Sequence, residues 1–438
     1  MNQLSLPLSI AWLVLFGFSA TKAQLATLDE STATRLMLEN NFNIRLAKND
    51  VKLATNNTSK ELNGYYPVVD FTAGPTATLG SSTQQLFSGQ ENKVNSAFSW
   101  GANASVGANY TIYDKTRELN VAQLQEVLNL TDLQLRQTME LNLLDVLTSY
   151  YQLAQLTERL ELQAETIQLS QRRKQRAQYR FDYGQGNKLE VLNAQVDIQR
   201  DTVALLNLEQ QIANSKRSLN LLIGTELGTD YQVDTSVQYL QNPQLNELLK
   251  QALSNNVQLL LLRKNMELQE YDLKINEATF MPRVSTTASY GVNFQDNAEG
   301  SFVTSSNSRG WNLGVNVAWN LYDGGLRKAR KENIIINVEG LLVQREQIEQ
   351  QLSTNIRNAW QSYQNALFVL AVERDNLATA EINFKRTEEQ FNAGQINSVE
   401  FRQAQLNLLN AAASLNGAKY DAKVIEVQLL QLSGNLLK

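Results

Sequence analysis

Four segments of this chain alternate apolar and polar residues with a period of two. In the clearest, Phe98, Trp100, Ala102, Ala104, Val106, Ala108, Tyr110 and Ile112 fall on one face. Ser99, Gly101, Asn103, Ser105, Gly107, Asn109 and Thr111 fall on the other. A second runs from Trp311 to Leu321, with Leu313, Val315, Val317 and Trp319 opposite Asn312, Gly314, Asn316 and Asn320. A third, Val284 to Gln295, sets Ala288, Tyr290, Val292 and Phe294 against Ser289, Gly291 and Asn293, and a weaker fourth runs from Phe71 to Leu79 with Pro75 inside it. Long alternation with small uncharged residues on the polar face predicts membrane-barrel strands, apolar toward lipid and polar toward a wet lumen. A sheet covering a soluble core is the bland alternative; four such strands in two matched pairs favour the barrel. Polar loops are expected at Gly80–Ala97 and Asp296–Ser308. Four strands cannot close a barrel, and an open edge in lipid leaves backbone groups unpaired. Several chains must share it, twelve strands from three copies or eight from two.

The rest reads as helix of unusual length. Lys115 to Tyr183 holds no Gly or Pro over 69 residues, and Leu119, Leu124, Leu128, Leu135, Met139, Leu143 and Leu147 recur at coiled-coil spacings. Leu326 to Ala393 is a second such span, interrupted only by Gly340. Asp114 and Asp323 stand where strand hands over to helix and read as N-caps rather than lumen-lining groups.

These features occur twice. Phe181-Asp182-Tyr183-Gly184-Gln185-Gly186-Asn187 returns as Phe391-Asn392-Ala393-Gly394-Gln395-Ile396-Asn397, Asn40-Asn41 as Asn255-Asn256, Pro67 as Pro282, Tyr113-Asp114 as Tyr322-Asp323, and Gly224 as Gly434. A repeat this long is two copies of one large unit rather than a solenoid. It divides the chain into 24–228 and 229–438. The first copy holds a hairpin at about 68–113 and a helical hairpin at 114–224. The second holds an irregular equatorial segment at 225–242, a helix at 243–279, a hairpin at about 283–322 and a helical hairpin at 323–434. Length balancing predicts that the return helix after Gly184 is completed by 243–279. The return after Gly394 would be completed by a single first helix, Leu28–Asn63, so that the C-terminal helix ends where the N-terminal one begins.

Composition narrows the chemistry. The 438 residues include no His and no Cys, which removes imidazole bases, thiol nucleophiles, disulfides and Cys/His zinc sites. A net charge of −5 without a basic block argues against nucleic acid. Gly184-x-Gly186 lacks the third glycine of a dinucleotide turn, and no phosphate loop is present. No enzyme, cofactor or metal is expected. Residues 1–23 read as a secretory signal, with an apolar run from Ile10 to Phe18 and Thr21-Lys22-Ala23 before Gln24. No later run is long enough for a membrane helix.

In their doubled order these residues resemble the TolC-like outer-membrane efflux family, over essentially all of the chain after the signal. The likeness rests on Leu36–Asn41, Tyr66-Pro67 and Met281-Pro282 entering strands, Leu321-Tyr322-Asp323-Gly324-Gly325 leaving the last one, and both Phe-x-x-Gly turns. It implies an α+β membrane protein: a homotrimer with a 12-stranded outer-membrane β-barrel continued by a periplasmic α-helical coiled-coil barrel. It also implies partners, a periplasmic adaptor and an inner-membrane pump. The function implied is a passive exit duct for small toxic molecules. Protein secretion through the same duct and a pore-less periplasmic coiled-coil scaffold are the alternatives.

The family closes its periplasmic end with charged and hydrogen-bonded residues near the two turns. Glu190 and Glu400 hold those positions here, each six residues after its turn glycine. Phe391 stands where a tyrosine could donate a hydrogen bond, Ile396 is not basic, and Gln403 stands where a second acid can occur. The alternative for each Glu is a solvated helix surface. The turns themselves, Gly184, Gln185, Gly186, Gly394 and Gln395, are candidate adaptor-docking points; the plainer reading is two tight helical hairpins.

Overall fold

A computed structural model describes residues 27–85, 87–297 and 303–437; the expected signal at 1–23 lies outside them. In chain order the elements are β1 (Thr27–Leu28), α1 (Glu30–Asn40), α2 (Phe42–Asn57), β2 (Val68–Gln85), β3 (Glu91–Tyr113), α3 (Lys115–Asp182) and α4 (Lys188–Ile223). There follow β4 (Gln232–Val233), α5 (Leu245–Asn255), α6 (Val257–Ala278), β5 (Arg283–Asp296), β6 (Ser305–Ala318), α7 (Leu326–Asn392) and α8 (Ser398–Leu432). From α1 to α4 and from α5 to α8 the order is the same: two short helices, a β-hairpin, one long helix and one of about half its length.

The first expected helix is broken in two. Asn41 leaves helical backbone at φ −54°, ψ 132°, and its side chain caps the next helix by accepting from the Ile44 N–H at 3.1 Å. Asn256 does the same between α5 and α6, accepting from the Gln258 N–H at 3.0 Å. A short polar side chain that satisfies the orphan amides of a helix start is what makes such a break cheap.

These breaks are where the half-length helices end. The Asn41 amide donates to the Leu222 carbonyl at 2.6 Å, and the Asn256 amide to the Leu432 carbonyl at 3.1 Å. Gly224 closes α4 with φ +81°, and a Cβ there would lie 2.5 Å from the Asn40 carbonyl oxygen. Gly434 has φ +71°, and its Cβ would lie 2.7 Å from Asn255. So α4 is continued by α2, and α8 by α6. This corrects the length-balanced pairing, which joined α4 to 243–279 and α8 to the first helix. The two pairings give almost equal lengths, so length could not choose. The Gly–Asn contact chooses.

Long α3 runs beside both composite columns. Its Asn142 accepts from Asn41 and Asn43, each at 3.1 Å, at the first break. Its Arg136 donates to the Asn255 carbonyl at 3.0 Å and to Glu140 at 2.8 Å near the second. Glu140 is 1% exposed, and burial raises its carboxyl above the usual range despite Arg136. At this level β1 pairs in parallel with β4, and Leu28, Met37, Ile44, Tyr150, Tyr151, Leu219, Ile223 and Tyr231 form the main core. A second core lies under α5 and α7, around Leu248, Ile356, Tyr363 and Leu429.

The sheet has the order β2-β3-β5-β6, all antiparallel. Most of the expected loop 80–97 is strand: Gly80 pairs with Ala97 and Gln85 with Glu91 across a bulge. Its polar side chains concealed the alternation, but a ribbon with water on both faces needs none. β6 stops at Ala318, short of the expected Leu321, where its neighbour β5 begins at Arg283 after Pro282, which has no N–H to pair; beyond it the Trp319 indole N–H donates to the Phe280 carbonyl at 2.8 Å. Asp114 caps α3 through the Arg117 N–H. Asp323 instead lies two residues before the cap position, held by Gly325 at φ +89°, and accepts from the N–H groups of Gly325 and Arg327. Gly340 does not interrupt α7.

Candidate functional site

The sheet register sorts side chains cleanly by face. Phe71 pairs with Val106, Val106 with Tyr290, and Tyr290 with Trp311, so one apolar face crosses all four strands. Its aromatics meet in tilted pairs 5.1 Å apart, Trp100 with Phe294 and Tyr290 with Trp311. Large side chains on this face stay open, with Leu313 73% and Val315 70% exposed. One rung away Thr72 pairs with Ser105, Ser105 with Gly291, and Gly291 with Gly310, which makes the opposite face polar or bare. A sheet with one apolar and one polar face, both open in the single chain, has the pattern of a strand set between lipid and water.

At the far end of the ~100 Å helices, both turns use the same backbone device. Gly184 (φ +71°) and Gly394 (φ +74°) take left-handed conformations that a side chain resists. The next residue reaches back: the Gln185 N–H donates to Arg180 at 2.7 Å, and the Gln395 N–H to Gln390 at 2.9 Å. Gly186 fits closely, since a Cβ there would lie 3.0 Å from the Arg180 Cβ. Asn187 and Asn397 cap α4 and α8 through their side chains. Capping therefore accounts for the asparagine that follows both turns.

The predicted gate residues fall into different settings. Glu190 is half-buried and lies 3.8 Å from Arg180, within its own hairpin. Glu400 is exposed, and no ion pair to it is present among the described residues. Gln403 is exposed and donates to Asn407 at 2.9 Å on the same helix. Phe391 is buried, its ring stacked on Phe401 at 4.6 Å, with Ile396 packed against the same cluster. Phe391 and Ile396, the two departures from the family's polar pattern, thus belong to an apolar plug inside the α7–α8 hairpin. Arg176 of α3 covers the Phe391 ring at 5.0 Å and donates to Asn392, tying the end of α7 to the other hairpin.

A buried ionic cluster stands a few turns from the tips, and the sequence reading did not anticipate it. Arg402 of α8 grips Asp201 of α4 with both terminal nitrogens, at 2.8 and 3.0 Å. Ser170 of α3 donates to the same carboxylate at 3.0 Å, and Gln405 donates to the Thr166 carbonyl at 3.1 Å. Arg173 pairs with Asp197, which also lies 3.7 Å from Arg402. Two cations and two anions thus balance inside a three-helix contact. A signal did exist in the repeat: Arg402 aligns with Leu192, and Asp201 with Ala411, at the 210-residue offset. The aligned positions have different surroundings: Leu192 is exposed, whereas Arg402 is buried against Asp201.

A family model described as outer membrane efflux protein matches residues 33–225 and 248–435. The chain belongs to the outer membrane efflux protein family. It is 22% identical over 304 residues to the outer membrane efflux protein BepC of Brucella suis, across 69% of this chain and 65% of that protein. It is 20% identical to the outer membrane protein TolC of Escherichia coli, across 82% of this chain and 74% of TolC. The fold matches the Campylobacter jejuni CmeC outer membrane channel with a TM-score of 0.72, at 15% identity, over 93% and 86% of the two chains. The open state of the Neisseria gonorrhoeae MtrE outer membrane channel matches with 0.69, at 13% identity, over 93% and 89%. Membership places this efflux protein in the outer membrane, reaching into the periplasm, and in a family of channels rather than enzymes. Among the described residues no group of carboxylates is arranged to hold a metal, and no helix is long and apolar enough to cross a membrane.

Proposed function

We propose that three copies of this efflux protein close into one passive duct through the outer membrane and periplasm. An inner-membrane pump, coupled through a periplasmic adaptor, expels small toxic molecules along it. The observation that carries this reading is that, among the described residues, both lateral edges of the chain are unpartnered in strand and helix alike. β2 and β6 are open sheet edges. Helix α2 leads into β2, and β6 leads into α7, so each side of the molecule carries its strand and its helix together. On one side Phe42, Leu46, Leu53, Val203 and Leu206 of α2 and α4 are exposed; on the other, Ile336, Val343, Phe368 and Ile382 of α7. Edges of different composition make a heterologous contact, which closes into a ring when the rotation allows. The family resemblance supplies the number three.

Within that duct Glu400 is the ionic ring of the periplasmic end, since it alone of the proposed gate residues is both charged and unpaired. The turns at Gly184–Gly186 and Gly394–Gln395 present exposed backbone to the adaptor. Expression in a host lacking its own channel tests the whole reading. The wild-type chain should restore drug resistance, while Gly184→Trp and Gly394→Trp should assemble normally yet fail to do so. Full resistance with either variant would place docking elsewhere, and none with wild type would remove the efflux role.

A further inference from the structure

The polar face of the sheet is not merely polar; over most of its height it carries no charge. On β2 the residues on this face between Thr72 and Thr78 are Thr or Gly, and on β3 those between Ser99 and Thr111 are Ser, Gly, Asn or Thr. On β5, Ser285 to Gln295 adds only Ser, Thr, Gly, Asn and Gln, and on β6, Ser306 to Asn316 adds Ser, Gly and Asn. The register keeps these residues level: Asn103 pairs with Asn293, and Ser289 with Asn312. Among the described residues of the four paired strands two charges share the face, Asp70 and Arg283, both toward the helical end and opposite in sign.

Fixed charge on a pore wall sets the local potential, raises the concentration of one sign of solute and excludes the other. Amides and hydroxyls offer both donors and acceptors, and so substitute for the hydration of a cation, an anion or a neutral molecule without preference. The glycines bring no side chain and widen the passage.

We propose that the barrel segment of this duct is an uncharged amide, hydroxyl and glycine conduit that releases cations, anions and neutral molecules alike, leaving all selection by charge to the helical segment. The proposal rests on the duct reading above. It makes the cargo class of the exit indifferent to charge, whatever the pump prefers.

The absence of native cysteine allows a direct test. Asn312→Cys and Asn103→Cys would each be reacted, in assembled protein in vesicles, with cationic trimethylammonioethyl and anionic sulfonatoethyl methanethiosulfonate. The ratio of the two rates, normalised to a free thiol, reports the potential at that wall position. The expected ratio is within about threefold of one, and Asn293→Asp added beside Asn103→Cys should raise it, showing that the readout responds. A wall potential of several kT would instead give a bias of roughly tenfold or more, and such a bias without added charge overturns the proposal. Leu313→Cys, one residue along on the apolar face, separates the two levels of the argument. It should stay unreactive, and reaction as fast as at Asn312 would contradict the duct reading itself.

Discussion

Arg402, in the last helix of the chain, holds both carboxylate oxygens of Asp201, in a helix two hundred residues earlier. Both side chains are buried, Asp201 to 5% exposure and Arg402 to 8%. Removing one member strands the other. Arg402→Ala should therefore destabilise the helical end by about 3–5 kcal/mol, whereas Arg402→Met with Asp201→Leu should recover most of that. Thermal melts of the detergent-solubilised protein check the pair. Because the cluster ties α8 to α3 and α4, Arg402→Ala channels should also conduct more in planar bilayers.

The two kinds of glycine separate by environment. Gly394→Ala meets open space and should cost about 1–2 kcal/mol, the left-handed backbone alone. Gly224→Ala adds a Cβ 2.5 Å from the Asn40 carbonyl oxygen and should cost clearly more, read as a lower melting temperature.

The faces of β3 give opposite outcomes three residues apart. Val106→Arg should cost about 2–4 kcal/mol near the bilayer midplane and reduce assembled protein, while Asn103→Arg should assemble and change conductance. Equal assembly of both would contradict the assignment of faces.

Much of this molecule can be read from its pattern, and what cannot has a physical reason. The alternation from Phe98 to Ile112 shows because lipid on one side and water on the other impose a period of two. The 80–97 ribbon does not show, because water on both sides imposes nothing. The long helices are legible from missing Gly and Pro. Which half-helix continues which is not, since it depends on the fit of Gly224 against Asn40 and Gly434 against Asn255. The turns are visible as motifs, but the Arg402–Asp201 cluster shows only where the aligned segments disagree, and its partners are set by packing between hairpins.

Glu140 predicts a pH effect of definite sign. Its carboxyl is raised by burial, so the folded protein binds that proton more tightly than the unfolded chain does. The stabilisation it brings is full below the unfolded value and is lost as pH rises through the folded one. Relative to Glu140→Gln, the wild-type protein should gain stability as pH falls from neutral toward 4, measured by paired thermal melts.

If Glu400 rings a constriction, three carboxylates face one another across a narrow pore and favour cations. Glu400→Gln should lower cation selectivity and divalent-ion block in planar bilayers, while Glu190→Gln, whose charge is turned toward Arg180, should change them less. Unchanged selectivity in Glu400→Gln would return that residue to the solvated surface.

The central claim is that the open edges of one chain are closed by its own copies, in the outer membrane. Chemical crosslinking of the membrane-extracted protein, followed by electrophoresis with and without heating, tests it most directly. The account predicts a ladder ending at three chains and a heat-modifiable trimer confined to the outer-membrane fraction. A stable monomer, or recovery with the soluble periplasmic fraction, would contradict it.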